Sequence, residues 1–97
     1  MKGYDIDGVL TMGITPEEGS VVISGRTFEE YDDFAKQAAE LCPVYIRGVG
    51  QQGDREHAGR FKAIMIKMLG VTEFYEDDEV QAEIIKKKNP KCLIHKI

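Results

Sequence analysis

Short apolar runs alternate along this chain with segments whose apolar residues recur at helical spacing, and no other feature constrains its fold as strongly. Strands separated by helices on this scale read as βαβ units, whose strands lie parallel in one sheet. Strands are predicted near Met1 to Ile6 and at Val21 to Ile23, Val44 to Ile46, Glu73 to Tyr75 and Cys92 to Ile94. The expected fold is α/β: a three-layer αβα sandwich around a five-stranded, mainly parallel, Rossmann-like sheet. A length of 97 residues suits one hydrophobic core, so residues 1–97 are read as a single domain.

Three helices complete the pattern. The first is expected to start at Thr27, where Glu30 three residues later makes a capping box, and to bury Phe28, Tyr31, Ala35, Ala38 and Leu41 before Pro43 ends it. Phe61, Ile64, Met65, Met68 and Leu69 mark the second, which stops at Gly70, with its methionines as core filler. Val80, Ile84 and Ile85 mark the third, which Asn89-Pro90 ends. Between the first two strands, Gly8 to Ser20 carries three glycines and Pro16, a composition suited to a turn followed by a mobile flap.

Composition narrows the function. At 42% hydrophobic and 31% charged residues the chain reads as an ordinary globular protein, with no apolar run near the ~20 residues that cross a bilayer. The amino terminus lacks the apolar stretch of a signal peptide, so a cytoplasmic setting is expected. Cys42 and Cys92 stand apart in apolar surroundings and are expected to be reduced and packed. A formal charge of -4 opposes non-specific binding to a nucleic-acid backbone. The basic run Lys86-Lys87-Lys88 falls where a helix should finish, and complements the helix dipole there.

The chemistry-bearing residues fall just past predicted strand ends: Asp5 and Asp7, Ser24, and Asp77 with Asp78. Open parallel sheets place their ligand crevice at that edge. Carboxylates contributed by two strand ends suit a hard, oxygen-seeking cation such as Mg2+, which shares its ligands with a substrate phosphate and offsets charge repulsion between them.

These residues also carry a resemblance. Asp5-Ile6-Asp7-Gly8-Val9-Leu10-Thr11 resembles the first motif of the haloacid dehalogenase superfamily of phosphohydrolases. Ser24 with Gly25-Arg26 resembles the second, Lys62 in a helix the third, and Glu76-Asp77-Asp78 the acidic fourth, in the family's order. The layout is similar to short members without a cap domain, and Gly8 to Gly13 resembles the branch acting on sugar-acid phosphates. The resemblance implies a phosphatase in which Asp5 attacks phosphorus and Asp7 protonates the leaving oxygen, then deprotonates the hydrolytic water. It implies that Ser24 and Lys62, with Gly25 and Arg26, hold the substrate phosphate. It also implies that Asp5, Asp7 through its carbonyl, Asp77 and Asp78 bind Mg2+, with Asp77 the primary acid of that pair. In the fourth motif Glu76 stands where glycine is common.

Other readings compete. Gly48-Val49-Gly50-Gln51-Gln52-Gly53 imitates a dinucleotide-binding fingerprint after a strand, although Asp54 to His57 is wholly polar where a packing helix should begin. A flexible active-site loop, in which Arg55 or His57 meets substrate, fits better. His57 and His95 have no metal-ligand spacing with either cysteine. A non-catalytic binding or assembly module on the same fold is the alternative from another class. Without a cap, selectivity would come from the flap, the Gly48 to His57 loop or a neighbouring subunit, with sugar phosphates, nucleotides and polynucleotide ends as candidate substrates.

Overall fold

Val21, Val22 and Ile23 are all buried, as consecutive residues of a strand covered on both faces must be. The computed structural model describes residues 1–97 and arranges five such strands in one sheet: β1 (Lys2–Tyr4), β2 (Val21–Thr27), β3 (Val44–Gly48), β4 (Glu73–Glu76) and β5 (Leu93–Lys96). Every pairing is parallel, and the order across the sheet is β3-β2-β1-β4-β5. Three helices connect the strands: α1 (Asp33–Leu41), α2 (Arg55–Leu69) and α3 (Glu79–Lys88). None is long and apolar enough to cross a membrane.

Side chains alternate across each strand and divide the core in two. On one side Tyr4, Val22, Ala35, Ala38 and Cys42 pack with Ile6, Val9 and Leu10, which places α1 and the start of the β1–β2 connection in one layer. On the other, Val21, Ile23, Phe74 and Cys92 pack against Ala63, Ile66 and Ile85 of α2 and α3. Both cysteines are free and buried. Fully burying a ring such as Phe74 contributes ~3 kcal/mol, so the strand centres dominate the stability of these short elements.

Several elements differ from the sequence expectation. β2 runs to Thr27, its register with β3 shifting between Ser24 and Thr27, so Ser24, Gly25 and Arg26 belong to a strand and not to a following turn. Glu30 does reach back to Thr27, its Oε1 accepting from Thr27 N at 3.0 Å, but the pair closes only a 3-10 turn at Phe28–Glu30. The α-helix starts at Asp33, capped by Asp32, whose carboxylate accepts from Ala35 N, and the Glu30 carbonyl just before it accepts from Asp32 N and from Arg26 at 3.1 Å. Phe28 is consequently exposed, as is Leu41.

In α2 the buried positions are Ala58, Gly59, Lys62, Ala63 and Ile66, about one position off the stripe of large apolar residues. Small residues make the contact: a Cβ on Gly59 would stand 3.2 Å from Gln81 Cα of α3. Ile64 and Met68 are left facing water, against the expectation of core methionines, while Phe61, Met65 and Leu69 flank the second cluster. The start of the predicted flap belongs to the core, since Val9 and Leu10 are buried. The basic run occupies the last turn of α3 as expected.

Candidate active site

β1 feeds β2 on one side, while the chain from β3 crosses to β4 on the other, so the strand order reverses between β1 and β4. Ligand crevices open outside the carboxyl ends of strands at such a switch point. Tyr4 pairs with Tyr75 in register, and Asp5 N donates to Tyr75 O at 3.1 Å, which sets Asp5 beside Glu76. The turn after β1 closes over them at Gly8, where φ is 79° and any Cβ would overlap the Asp77 carboxylate. Glycine is required there both for its backbone and for the space.

The floor of the cleft is a buried charge cluster. Lys62 Nζ lies 2.7 Å from Glu76 Oε1 and 3.1 Å from Asp5 Oδ1, all three side chains being almost wholly buried. Asp5 Oδ1 also accepts from Ile6 N at 2.8 Å, and Glu76 Oε2 accepts from Asp77 N and Asp78 N. Burial pushes the Asp5 carboxyl up from its ordinary value, against the pull of Lys62. Burial, with Asp5 beside it, pushes Glu76 up to about 8. Burial would lower the Lys62 ammonium, but Asp5 and Glu76 outweigh it and raise it. One ammonium thus serves two carboxylates, and the cluster retains affinity for one more positive charge.

Oxygens of Asp5, Glu76 and Asp77 all lie within 4.8 Å of one another, a set of hard donors from two strand ends that matches a small divalent cation. Asp77 is paired with no cation of the protein. Asp78 lines the same cleft but already has partners: it caps α3, its Oδ1 accepting from Val80 N and Gln81 N, and it takes both Nε and Nη2 of Arg55. The Arg55 fork, with those amides, holds its carboxyl below the usual range.

The rest of the predicted set is distributed around the opening. A cleft of about 260 Å³ is lined by Asp5, Asp7, Gly25, Arg26, Lys62, Asp77 and Asp78 among others. Asp7 is half outside, both its oxygens held by Arg26 at 2.8 and 3.1 Å, and Arg26 also reaches Asp32 at 2.8 Å. Ser24 is fully buried behind the lining, where its Oγ accepts from Arg26 N at 3.1 Å and shapes the strand irregularity that aims Arg26 at Asp7. Gln81 also lines the cleft, with its Oε1 buried and unpartnered.

Two contributors were not singled out from sequence as site residues. Glu76 stood out only as a departure from the motif; its signal is an acid two residues after Phe74, on the covered side of a strand, which calls for a buried cation or a retained proton. Arg47 occupies the same kind of position two residues after Tyr45 and lines the cleft. Within the Gly48 to Gly53 loop the Gln51 carbonyl accepts from its guanidinium, while the Asp54 carboxylate caps α2 by accepting from His57 N. An anion therefore stands where a dinucleotide's pyrophosphate would sit. His95 lies away from this opening, stacked on Tyr75 and 3.0 Å from Glu73. Comparison of the chain with family models, with curated proteins and with solved structures finds no match in any of the three.

Proposed function

We propose that this chain is a Mg2+-dependent phosphohydrolase of the haloacid dehalogenase type, without a cap, that cleaves phosphate monoesters through an aspartyl phosphate on Asp5. The observation that carries this reading is the convergence of Asp5, Glu76 and Asp77 within 4.8 Å at the switch point, with Lys62 against the nucleophile. Asp5 and Asp77 would hold the cation, with Glu76 behind them. Bound there, Mg2+ would supply the charge that lets an anionic ester approach a cleft lined with carboxylates.

The chain's own groups divide the chemistry. Asp5, with the Lys62 ammonium against it, attacks phosphorus, forming the Asp5–phosphorus bond as the ester oxygen leaves. Asp7 gives that oxygen its proton, then takes one from the water that attacks the aspartyl phosphate and releases inorganic phosphate. To do so it leaves Arg26, an exchange that its exposed position permits. Lys62 and the backbone at Gly25 face the phosphoryl oxygens, and Ser24 acts through Arg26 N.

The test is hydrolysis of an aryl phosphate with Mg2+ and with EDTA, by the wild type and by Asp5→Asn. Turnover that requires Mg2+ and falls on the order of 10⁴-fold in Asp5→Asn is expected. Equal activity in both proteins removes Asp5 from its role. The bidentate hold of Arg26 on Asp7 favours one other reading, a module that binds Mg2+ or phosphate without turnover. A folded wild type that binds Mg2+ and hydrolyses nothing would select it.

A further inference from the structure

Four cations line the cleft: Arg26, Arg47, Arg55 and Lys62. Three of them touch carboxylates, Arg26 those of Asp7 and Asp32, Arg55 that of Asp78, and Lys62 those of Asp5 and Glu76. Arg47 touches none. The residue is 9% exposed, and its guanidinium is held by uncharged acceptors only. Nε donates to Gly25 O at 2.8 Å, Nη1 to His57 Nδ1 at 2.9 Å and Nη2 to Gln51 O at 3.1 Å. A guanidinium carries five N–H groups, so this cradle leaves some of them free.

The arrangement around Arg47 is built. Arginine only donates, so His57 accepts at Nδ1 and carries its ring proton on Nε2. At Gly50, φ is 126°, and a Cβ would lie 2.5 Å from Arg47 Nη1 and 3.0 Å from His57 Nδ1. The Gly50 backbone thus packs directly against the pair, where no larger residue would fit, while Arg47 still lines the cleft. Gly25 joins this corner to the floor: its carbonyl holds Arg47, while a Cβ on it would stand 4.0 Å from Lys62 Cε. A buried charge without a counter-charge is costly, yet the chain places six carboxylates on the same cleft and none on Arg47.

We propose that Arg47 receives a second anionic group of the substrate. The preferred substrate is then a phosphate monoester that carries, near the phosphoryl group at Lys62, a further phosphate or carboxylate, whose paired oxygens suit the guanidinium fork. The proposal rests on the phosphohydrolase reading and names its substrate class.

Three probes separate the alternatives: glycerol 3-phosphate with one anionic group, 3-phosphoglycerate with an added carboxylate, and 1,3-propanediol bisphosphate with an added phosphate. In the wild type, kcat/KM for at least one doubly anionic probe should exceed that for glycerol 3-phosphate by roughly 10- to 100-fold, mainly through KM. Which probe gains tells carboxylate from phosphate. Arg47→Met should bring the ratio towards one, and Arg47→Lys, which keeps the charge without the fork, should leave an intermediate ratio. No preference in the wild type, or a ratio unchanged in either variant, overturns the proposal. Calorimetric binding of the same probes with Mg2+ keeps the two readings apart. If nothing is hydrolysed the phosphohydrolase reading fails, and a doubly anionic preference in binding that weakens in Arg47→Lys still upholds the receptor. A wild type that binds all three alike removes it. Arg47→Lys decides the matter if Arg47→Met does not fold.

Discussion

The carboxyl ends of β1 and β4 are built to one plan with different consequences. Each gives an inner carboxylate to the floor, and an outer aspartate to an arginine fork. Arg26 holds Asp7 through Nε and Nη2 at 3.1 and 2.8 Å, and Arg55 holds Asp78 through the same atoms at 2.8 and 3.0 Å. Asp78 has further duties, because two backbone amides of α3 depend on it. Asp7 has none, and 62% of its side chain is exposed. The same ion pair is therefore a lock at β4 and a latch at β1. An acidic doublet does not reveal which of its members is free to react; the neighbouring amides decide it.

Removing the cation beneath both ends is the strongest way to break the plan. Lys62→Met would leave Asp5 and Glu76 buried together with no counter-charge, which costs ~3–5 kcal/mol. Thermal melts in EDTA should show a fall in Tm that Mg2+ partly reverses. An unchanged Tm would mean that the floor is not held by charge at all.

Glu76→Gln sharpens the same point through pH. The folded protein keeps the Glu76 proton up to about 8, whereas the unfolded chain releases it near the ordinary glutamate value. The stability due to this proton is complete below the unfolded value and is lost as pH rises through the folded one, at up to ~1.4 kcal/mol per pH unit. In EDTA the wild type should therefore weaken between about pH 5 and 8. The variant, which lacks the proton and offers an amide to two N–H donors, should start lower and decline less. Parallel curves would remove Glu76 from this role.

The alternation of strands and helices was legible because each strand is short, apolar and followed by helical spacing. The motif residues Asp5, Asp7, Lys62, Asp77 and Asp78 all reach one opening because the switch point gathers strand ends that are far apart in sequence. What sequence did not disclose was the second partner of each group. Thr27 and Glu30 make the same capping signal for a 3-10 turn as for a helix, and the partners that separate the two, Asp32 N and Arg26 on the Glu30 carbonyl and Asp32 at the next cap, cannot be read from the signal itself. In α2 the large residues advertised one face, while Ala58, Gly59 and Ala63 set another, through contacts that no periodicity encodes. Ser24 is read from a motif and Arg47 is not read at all, because their positions follow from a strand irregularity and a loop that folds back.

The finest division lies between adjacent residues. Asp78→Ala should cost ~1 kcal/mol, the usual loss when a helix gives up its N-cap, and should leave Mg2+ affinity close to that of the wild type. Asp77→Ala should do the reverse. It frees no amide and removes an acid beside other acids, so stability in EDTA holds while calorimetric Mg2+ affinity falls roughly 10-fold or more. Asp7→Asn extends the contrast to β1, with stability changed by less than ~0.5 kcal/mol because nothing else hangs on that carboxylate. Were Asp78→Ala to weaken Mg2+ as much as Asp77→Ala, the outer aspartate of β4 would belong to the metal as well as to the helix. The distinction between lock and latch would then rest on Asp7 alone.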